Sequence, residues 1–255
     1  MVKQQRRRIL LIALAALVLI AGCLITAFTM RAKADGPPTS SATLVYDLRT
    51  GKTLRAENAG AQFRTASLVK LLIAIDLVQR NAVTPARPSP RVTRMLSYSD
   101  DAVAQQLWNA AGGPDVVTRT ARTLGLHDTE PPSDSSRWGD TLTSANDVVT
   151  SYRYVLRLPA ATRQLILGPL RDASRVAADG SDQFFGIPAA LPHSSWAIKQ
   201  GWAAGRGGID AHTSGVVDDR YIVVVLSHRG DGQLSSAERA VTTQTAALVP
   251  LVRGK

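Results

Sequence analysis

Hydrophobic residues along this 255-residue chain fall into short runs separated by turn-forming residues, which predicts a domain containing both strands and helices. In the run at residues 63–79, the only polar side chains between Ser67 and Val78 are those of Lys70 and Asp76. A helix that is apolar on nearly every face is buried, so we expect this segment to form the central helix. A lysine in such a helix is costly unless it is paired, uncharged or able to extend to solvent.

The remaining runs predict two strands, a group of helices, three strands and a closing helix. The first strands are expected at 42–47 and 52–57, and helical spacing then recurs at 101–111, 114–124, 144–157 and 160–170. The later strands are expected at 197–202, 213–217 and 221–227, and the closing helix at 237–252. The glycine-rich residues 201–208 are expected to form a turn after the first of these strands. This order predicts an α+β fold, an antiparallel sheet flanked by helices with an inserted all-helical lobe at about residues 85–175.

The first thirty residues have the pattern of a membrane-targeting segment. Four basic residues at positions 3–8 precede the uncharged stretch 9–30, whose 22 residues are enough to cross a bilayer core. The charges predict a cytoplasmic N-terminus and an extracytoplasmic domain. An uncleaved anchor is the first interpretation, but Ile20-Ala21-Gly22-Cys23 resembles a bacterial lipobox, so lipidation of Cys23 and simple secretion remain open. Residues 31–41 are expected to form a polar linker, and residues 42–255 the folded domain.

Composition and charge narrow the possible partners. The formal net charge is +10, which suits anionic surroundings such as a cell envelope, but no basic run is interleaved with aromatic residues. Nucleic-acid binding is therefore not expected. The four histidines are scattered without metal-ligand spacing, so we expect no metal and no cofactor. The single cysteine excludes an intramolecular disulfide. Nothing in the sequence identifies a protein partner.

Ser67 and Lys70 are three residues apart, so a helix places their side chains on one face. A nucleophilic serine needs a neighbour that accepts its proton, and a desolvated amine with a lowered pKa can do so. Free N–H groups at a helix N-terminus can also stabilise an oxyanion that develops beside the serine. The pair predicts nucleophilic catalysis at Ser67. The alternative is a buried helix capped by Ser67, with Lys70 extending to solvent.

Two later stretches complete a known pattern. Ser99-Asp100-Asp101 lies on a short loop that enters a helix, and Lys199-Gln200-Gly201 lies on a strand. In this order after Ser67-x-x-Lys70, the motifs resemble the active-site triplet of class A β-lactamases and penicillin-binding DD-peptidases. Residues 45–51 are similar to the first strand and turn of that family. The resemblance extends over residues 42–253 and implies the fold of that superfamily.

The resemblance implies a role for each motif residue. Ser67 would be the acylated nucleophile, and Lys70 would accept its proton. Ser99 would relay a proton to the leaving nitrogen, in a network that Lys199 holds electrostatically. The backbone N–H groups of Ser67 and Trp202 would form the oxyanion hole.

The implied substrate-binding residues are Asp101, Gln200 and Gly201, and two of them depart from the family pattern. Asp101 stands where the family usually has asparagine, and Gln200 where it usually has threonine or serine. An ionised aspartate can only accept hydrogen bonds, and pairing with Lys70 would keep that amine charged. Gln200 is longer than threonine and is expected to reshape the pocket that receives a substrate carboxylate.

The glutamate that activates the deacylating water in class A β-lactamases has no counterpart here. Of the three glutamates in the chain, only Glu130 lies in the corresponding region, and Pro131-Pro132 follow it. We therefore expect Glu130 to be a surface residue and the acyl-enzyme to persist.

Together with the predicted extracytoplasmic location, the resemblance implies a serine acyl-hydrolase that acts on peptidoglycan-related acyl-amides or β-lactams. Three alternatives stay open: a true β-lactamase, a non-catalytic protein that binds wall fragments or β-lactams, and a structural envelope protein.

Overall fold

The computed structural model describes residues 40–205 and 207–253. The predicted anchor at residues 1–30, Cys23 and all but the last two residues of the predicted linker lie outside these ranges. Within the described ranges, no helix is long and apolar enough to cross a bilayer.

A five-stranded antiparallel sheet forms the centre of the domain. The described strands are β1 (Ser40–Asp47), β2 (Lys52–Glu57), β3 (Phe63–Arg64), β4 (Leu142–Thr143), β5 (Trp196–Gly205), β6 (Gly208–Val217) and β7 (Tyr221–Arg229). The large sheet has the order β2-β1-β7-β6-β5, and β3 pairs with β4 in a separate two-stranded sheet. The hairpin of β1 and β2 and the three adjacent C-terminal strands agree with the predicted arrangement.

Helices cover both faces of the sheet. They are α1 (Val69–Gln79), α2 (Pro90–Ser97), α3 (Asp101–Ala110), α4 (Asp115–Leu124), α5 (Ala145–Arg157), α6 (Ala160–Arg171), α7 (Ile187–Ala190), α8 (Leu234–Ala246) and α9 (Val249–Arg253). Helix α5 packs on β1 and β7, whereas α8 packs on β6 and β7. Helices α2 to α6 form the inserted helical lobe, so the predicted α+β fold is confirmed.

Strand β7 is buried on both faces, as its continuous apolar run predicts. Val224 belongs to the larger hydrophobic cluster, which contains α1 and much of the helical lobe. Val223 and Val225 belong to the second cluster, together with Ala237 and Val241 of α8. Side chains alternate between the faces of a strand, so a strand covered by helices on both sides is apolar throughout.

The start of the central helix differs from the prediction. Phe63–Arg64 is strand β3, and a 3₁₀ turn over Ala66–Leu68 precedes α1. Hydropathy did not reveal this boundary because Phe63 and the 3₁₀ turn are buried like the helix that follows.

The prediction that residues 201–208 form a turn was wrong. Residues 201–205 continue β5, and its antiparallel register with β6 extends to the pair Gly205 and Gly208. Glycine is common in turns, but it is also required where another backbone approaches a strand closely. At Gly201 a Cβ atom would lie 2.8 Å from the carbonyl oxygen of Thr65, which accounts for a glycine inside the strand.

Two helices also differ from the prediction. The closing helix is divided into α8 and α9, and α2 was not among the predicted helices. Its start nevertheless carries a sequence signal: the Ser89 hydroxyl accepts a hydrogen bond from the Val92 N–H, and Pro90 occupies the first helical position.

Candidate active site

Ser67 lies in the 3₁₀ turn that leads into α1, where its side chain is buried. The preceding residue, Ala66, has φ +45°, a left-handed conformation that is unfavourable for a residue with a Cβ atom. Lys70 follows in the first turn of α1. The predicted proximity of the two side chains is present, since Lys70 Nζ lies 2.7 Å from Ser67 Oγ.

Lys70 makes further polar contacts with the segment at the start of α3. Its amine donates to the Ser99 carbonyl oxygen at 2.8 Å and to Asp101 Oδ1 at 2.5 Å. The ring of Trp138 lies 4.8 Å from the amine. Burial lowers the pKa of Lys70, although the negative charge of Asp101 and its hydrogen bond oppose this effect. Lys70 therefore does not extend to solvent, which excludes the alternative considered from its sequence.

Ser99 lies between the two lysines of the motifs. It occupies the turn between α2 and α3 with φ +52°, a second left-handed residue in this site. The Ser99 hydroxyl is 3.2 Å from Lys70 Nζ and 2.9 Å from Lys199 Nζ. Strained backbone of this kind is concentrated at functional sites, where the surrounding structure holds it in place.

Lys199 reaches Ser99 from strand β5, and its side chain is buried. Its amine also donates to the Gln200 carbonyl oxygen at 3.0 Å. Burial lowers the pKa of Lys199 well below its usual range, and the nearby charge of Lys70 lowers it further. The structure thus brings the four motif residues Ser67, Lys70, Ser99 and Lys199 into one hydrogen-bonded group.

Trp202 and Ser67 line the same cleft, at the place where β5 packs against the 3₁₀ turn. This placement is compatible with the oxyanion role implied for their N–H groups, and that role stays a prediction.

Gln200 does not face the cleft, in contrast to the prediction that it reshapes a carboxylate-binding pocket. Its side chain is buried, and its amide nitrogen donates to the carbonyl oxygens of Gln183 at 3.1 Å and Phe185 at 2.6 Å. The longer side chain reaches this neighbouring segment, so the predicted substrate contact has no support from its position. Gly201 is buried beneath the 3₁₀ turn, where its lack of a side chain serves packing.

The cleft in front of Ser67 has a volume of about 470 Å³. Its lining includes Asp101 and Trp202, which the sequence motifs identified. It also includes residues that sequence reasoning missed: Trp138, Asp140, Asp179 and Asp210. The missed residues belong to loops and a strand that carry no motif, so the folded chain alone brings them to the site.

Glu130 is exposed and lies outside the lining of this cleft, as predicted for a surface residue. Its carboxylate accepts a hydrogen bond from Gln62 at 2.9 Å. The segment between α4 and α5, which contains Glu130, also brings the carboxylate of Asp140 to the cleft. Arg137 pairs with this carboxylate at 2.5 Å. Among residues 40–205 and 207–253, no group of three His, Cys, Asp or Glu side chains could hold a metal ion.

Comparison with known sequences identifies mycobacterial relatives. No family model matches the chain. Over 195 residues the chain is 38% identical to a Mycobacterium tuberculosis protein named "Putative lipoprotein LppW", and the match covers 72% of this chain and 61% of that protein. The LppW protein of Mycobacterium bovis matches equally. The chain therefore spans about three fifths of the length of these curated relatives.

Comparison with solved structures shows the fold. A class A β-lactamase from Mycobacterium abscessus has a TM-score of 0.68 at 17% identity, covering 84% of this chain and 94% of that chain. A β-lactamase from Burkholderia vietnamiensis also reaches 0.68, at 19% identity, with 85% and 92% covered. The protein named PBP-A has a TM-score of 0.65 at 18% identity, with 87% of this chain and 92% of that chain covered. The chain has the β-lactamase and DD-peptidase fold that its motifs implied.

Proposed function

We propose that this protein is a serine acyl-hydrolase that forms an acyl-enzyme at Ser67 and acts on peptidoglycan-like acyl-amides. The observation that carries the proposal is the 2.7 Å contact between Ser67 Oγ and the amine of the fully buried Lys70. Burial lowers the pKa of Lys70, and this increases the fraction of neutral amine that can accept the serine proton.

In the proposed acylation step, the Ser67 proton moves to neutral Lys70 while Ser67 Oγ bonds to the substrate carbonyl carbon. The N–H groups of Ser67 and Trp202 stabilise the resulting oxyanion. When the carbon–nitrogen bond breaks, the Ser99 hydroxyl donates its proton to the leaving nitrogen. Ser99 regains a proton from charged Lys70, so the amine returns to its neutral form. Lys199, 2.9 Å from Ser99 Oγ, holds the relay in place.

We further propose that deacylation is slow. Hydrolysis of the ester needs a base that activates water, and general-base catalysis typically contributes about 10²- to 10⁴-fold. In the region that supplies the deacylating glutamate in class A β-lactamases, Glu130 lies outside the cleft lining, and Asp140 is already paired with Arg137. These two observations favour slow hydrolysis of the acyl-enzyme. A true β-lactamase would require rapid hydrolysis.

One observation favours a second candidate function, non-catalytic binding of wall fragments or β-lactams. Asp101 pairs with Lys70 at 2.5 Å and favours the charged form of the amine, which cannot accept a proton. If this effect exceeded that of burial, Ser67 would not be activated.

We propose that the domain acts in the cell envelope, attached through its N-terminal segment. The basic and apolar pattern of residues 3–30 supports this location, and so does the name of its mycobacterial relatives, which describes a lipoprotein. That name also supports lipidation at Cys23 as the mode of attachment, whereas the length of the apolar stretch supports an uncleaved anchor.

Labelling of the detergent-solubilised protein with a fluorescent penicillin, followed by mass mapping, tests the proposed acyl-enzyme. We expect one adduct on Ser67 and none in Ser67→Ala. Ser136→Ala is the matched control, because Ser136 lines the same cleft without contacting either lysine. An adduct elsewhere, or unchanged labelling of Ser67→Ala, would refute the assignment, and an unlabelled wild type would favour non-catalytic binding.

A further inference from the structure

The lining of the cleft is acidic although the protein as a whole is basic. The formal charge of the chain is +10. Among the described residues that line the cleft, four are aspartates (Asp101, Asp140, Asp179 and Asp210), and Arg137 is the one lysine or arginine. A cleft lined by charge of one sign attracts ligands of the opposite sign. This lining therefore favours a cationic substrate group over an anionic one.

Three of the four carboxylates already have cationic partners in the protein. The pairs are Asp101 with Lys70, Asp140 with Arg137, and Asp210 with Arg64. Charges neutralised in this way are less available to a ligand.

Asp179 differs from these three carboxylates. Within residues 40–205 and 207–253, no lysine, arginine or histidine forms an ion pair with it, and its side chain accepts hydrogen bonds from the Trp202 indole at 3.1 Å and the Ser181 N–H at 2.9 Å. Burial alone would raise the pKa of Asp179, but these hydrogen bonds and the charge of Lys70 lower it further than burial raises it. Asp179 is therefore ionised at neutral pH and exposed at the cleft.

The loop that carries Asp179 is fastened to the segment that carries Ser99. The loop is closed by a bridge between Val176 and Asp182, and the Ala178 N–H donates to the Tyr98 carbonyl oxygen at 2.8 Å. These backbone contacts hold the Asp179 carboxylate at a defined position relative to the hydrogen-bonded group that contains Ser67 and Ser99.

The side chain at position 200 offers nothing to a substrate carboxylate. Its amide donates to the carbonyl oxygens of Gln183 and Phe185, away from the cleft. Among the described residues, position 200 contributes no side-chain donor to the cleft, and the Asp179 carboxylate lines the cleft without an ion-pair partner.

Building on the proposed function, we propose that the cleft selects acyl donors with an ammonium group beside Trp202, and that Asp179 is the specificity-determining residue that receives this group. A substrate with a carboxylate at the same place would be repelled by Asp179. For one exposed charge pair, the expected preference is about fivefold at most in each direction.

The test uses three activated acyl esters that differ only in the end of the leaving group, which is an ammonium, a carboxamide or a carboxylate. The second-order rate constant for acylation of Ser67 is measured by intact-mass spectrometry on the full-length protein. Asp179→Asn removes the charge but keeps an oxygen that can accept the Trp202 hydrogen bond, and Asp179→Lys reverses the charge. Asp172→Asn and Asp172→Lys make the same charge changes at an exposed position that does not line the cleft.

We expect the wild type and both Asp172 variants to prefer the ammonium ester, Asp179→Asn to lose the preference, and Asp179→Lys to prefer the carboxylate ester. High salt should reduce the preference of the wild type. An ammonium-to-carboxylate ratio that is the same in wild type and both Asp179 variants would overturn the inference while leaving the acyl-enzyme intact.

If no ester acylates Ser67, the proposed function fails, and the inference is tested by binding instead. Tryptophan fluorescence of Ser67→Ala protein then reports the affinities of the corresponding unreactive amides. Tighter binding of the ammonium amide that depends on Asp179 would support the inference, and equal affinities would overturn it.

Discussion

Replacing Asp101 with asparagine tests what the ion pair with Lys70 does. Burial lowers the pKa of Lys70, whereas the Asp101 carboxylate, 2.5 Å from the amine, raises it. Asp101→Asn removes only the second effect, because asparagine has nearly the same shape and keeps an acceptor oxygen. We therefore expect the pKa of Lys70 to fall and the fraction of neutral amine to rise.

The exposure of Asp101 limits the size of this effect. The Asp101 side chain is 63% exposed, so water screens the pair and its contribution is about 1 kcal/mol at most. Because about 1.4 kcal/mol corresponds to a tenfold change in an equilibrium constant, loss of the pair should increase neutral Lys70 about fivefold where the amine is mostly charged. The acylation rate should rise by the same factor at such pH values. At a pH above the Lys70 pKa the gain should vanish, because the amine is then neutral in both proteins.

The assay is the second-order rate constant for penicillin labelling, measured from neutral to alkaline pH. The ascending limb of the profile should move to lower pH in Asp101→Asn. The matched control is Asp219→Asn, which removes an exposed partner of Arg171 outside the cleft and should leave the profile unchanged. A profile that does not move, or slower labelling at every pH, would refute the reasoning, and slower labelling would show that the Asp101 carboxylate itself assists the reaction.

Two further predictions concern turnover and membrane attachment. With a chromogenic β-lactam, the wild type should give a burst of one equivalent followed by slow turnover, and Glu130→Gln should change neither phase because Glu130 binds Gln62 outside the cleft. Rapid steady turnover that collapses in Glu130→Gln would contradict this. Cys23→Ala should stay in the membrane fraction if residues 9–30 are an uncleaved anchor, and its release into the soluble fraction would show that lipidation holds the protein.

The candidate site was predictable from sequence to the extent that it depends on short spacing or on a family pattern. Ser67 and Lys70 are neighbours because they are three residues apart in a helical segment. Lys199 and Ser99 are 100 positions apart, so only the family pattern connected them before the fold was known. Asp179 had no such signal, because its position depends on how its loop attaches to the segment preceding Ser99.

The fold was predictable where hydrophobic period and turn chemistry agree. They agree for β1, β2 and α5, and the predicted and observed bounds of these elements differ by at most two residues. They fail at residues 63–68, where Phe63 of the strand and Ala66 and Leu68 of the 3₁₀ turn are buried and apolar like the helix that follows. They fail again at residues 201–208, because a glycine selected for close packing has the same sequence signal as a glycine selected for a turn.

This packing role of Gly201 leads to a last prediction. A Cβ atom at Gly201 would lie 2.8 Å from the Thr65 carbonyl oxygen, 3.1 Å from His212 Cδ2 and 3.2 Å from Leu68 Cγ. The first of these neighbours is backbone and belongs to the segment that enters the Ser67 turn, so Gly201→Ala must move either β5 or that turn.

Because Lys199 and Trp202 are on β5, this displacement separates them from Ser67, and we expect penicillin labelling to fall by at least tenfold, the factor for about 1.4 kcal/mol of barrier. Circular dichroism should show that the fold is retained. Gly205→Ala is the control on the same strand, where a Cβ atom would meet no atom of the described, non-adjacent residues within 4 Å, and it should label like wild type. If Gly201→Ala labels as fast as Gly205→Ala, then close contact between β5 and the Ser67 turn is not what the reaction requires, and the glycine has another role.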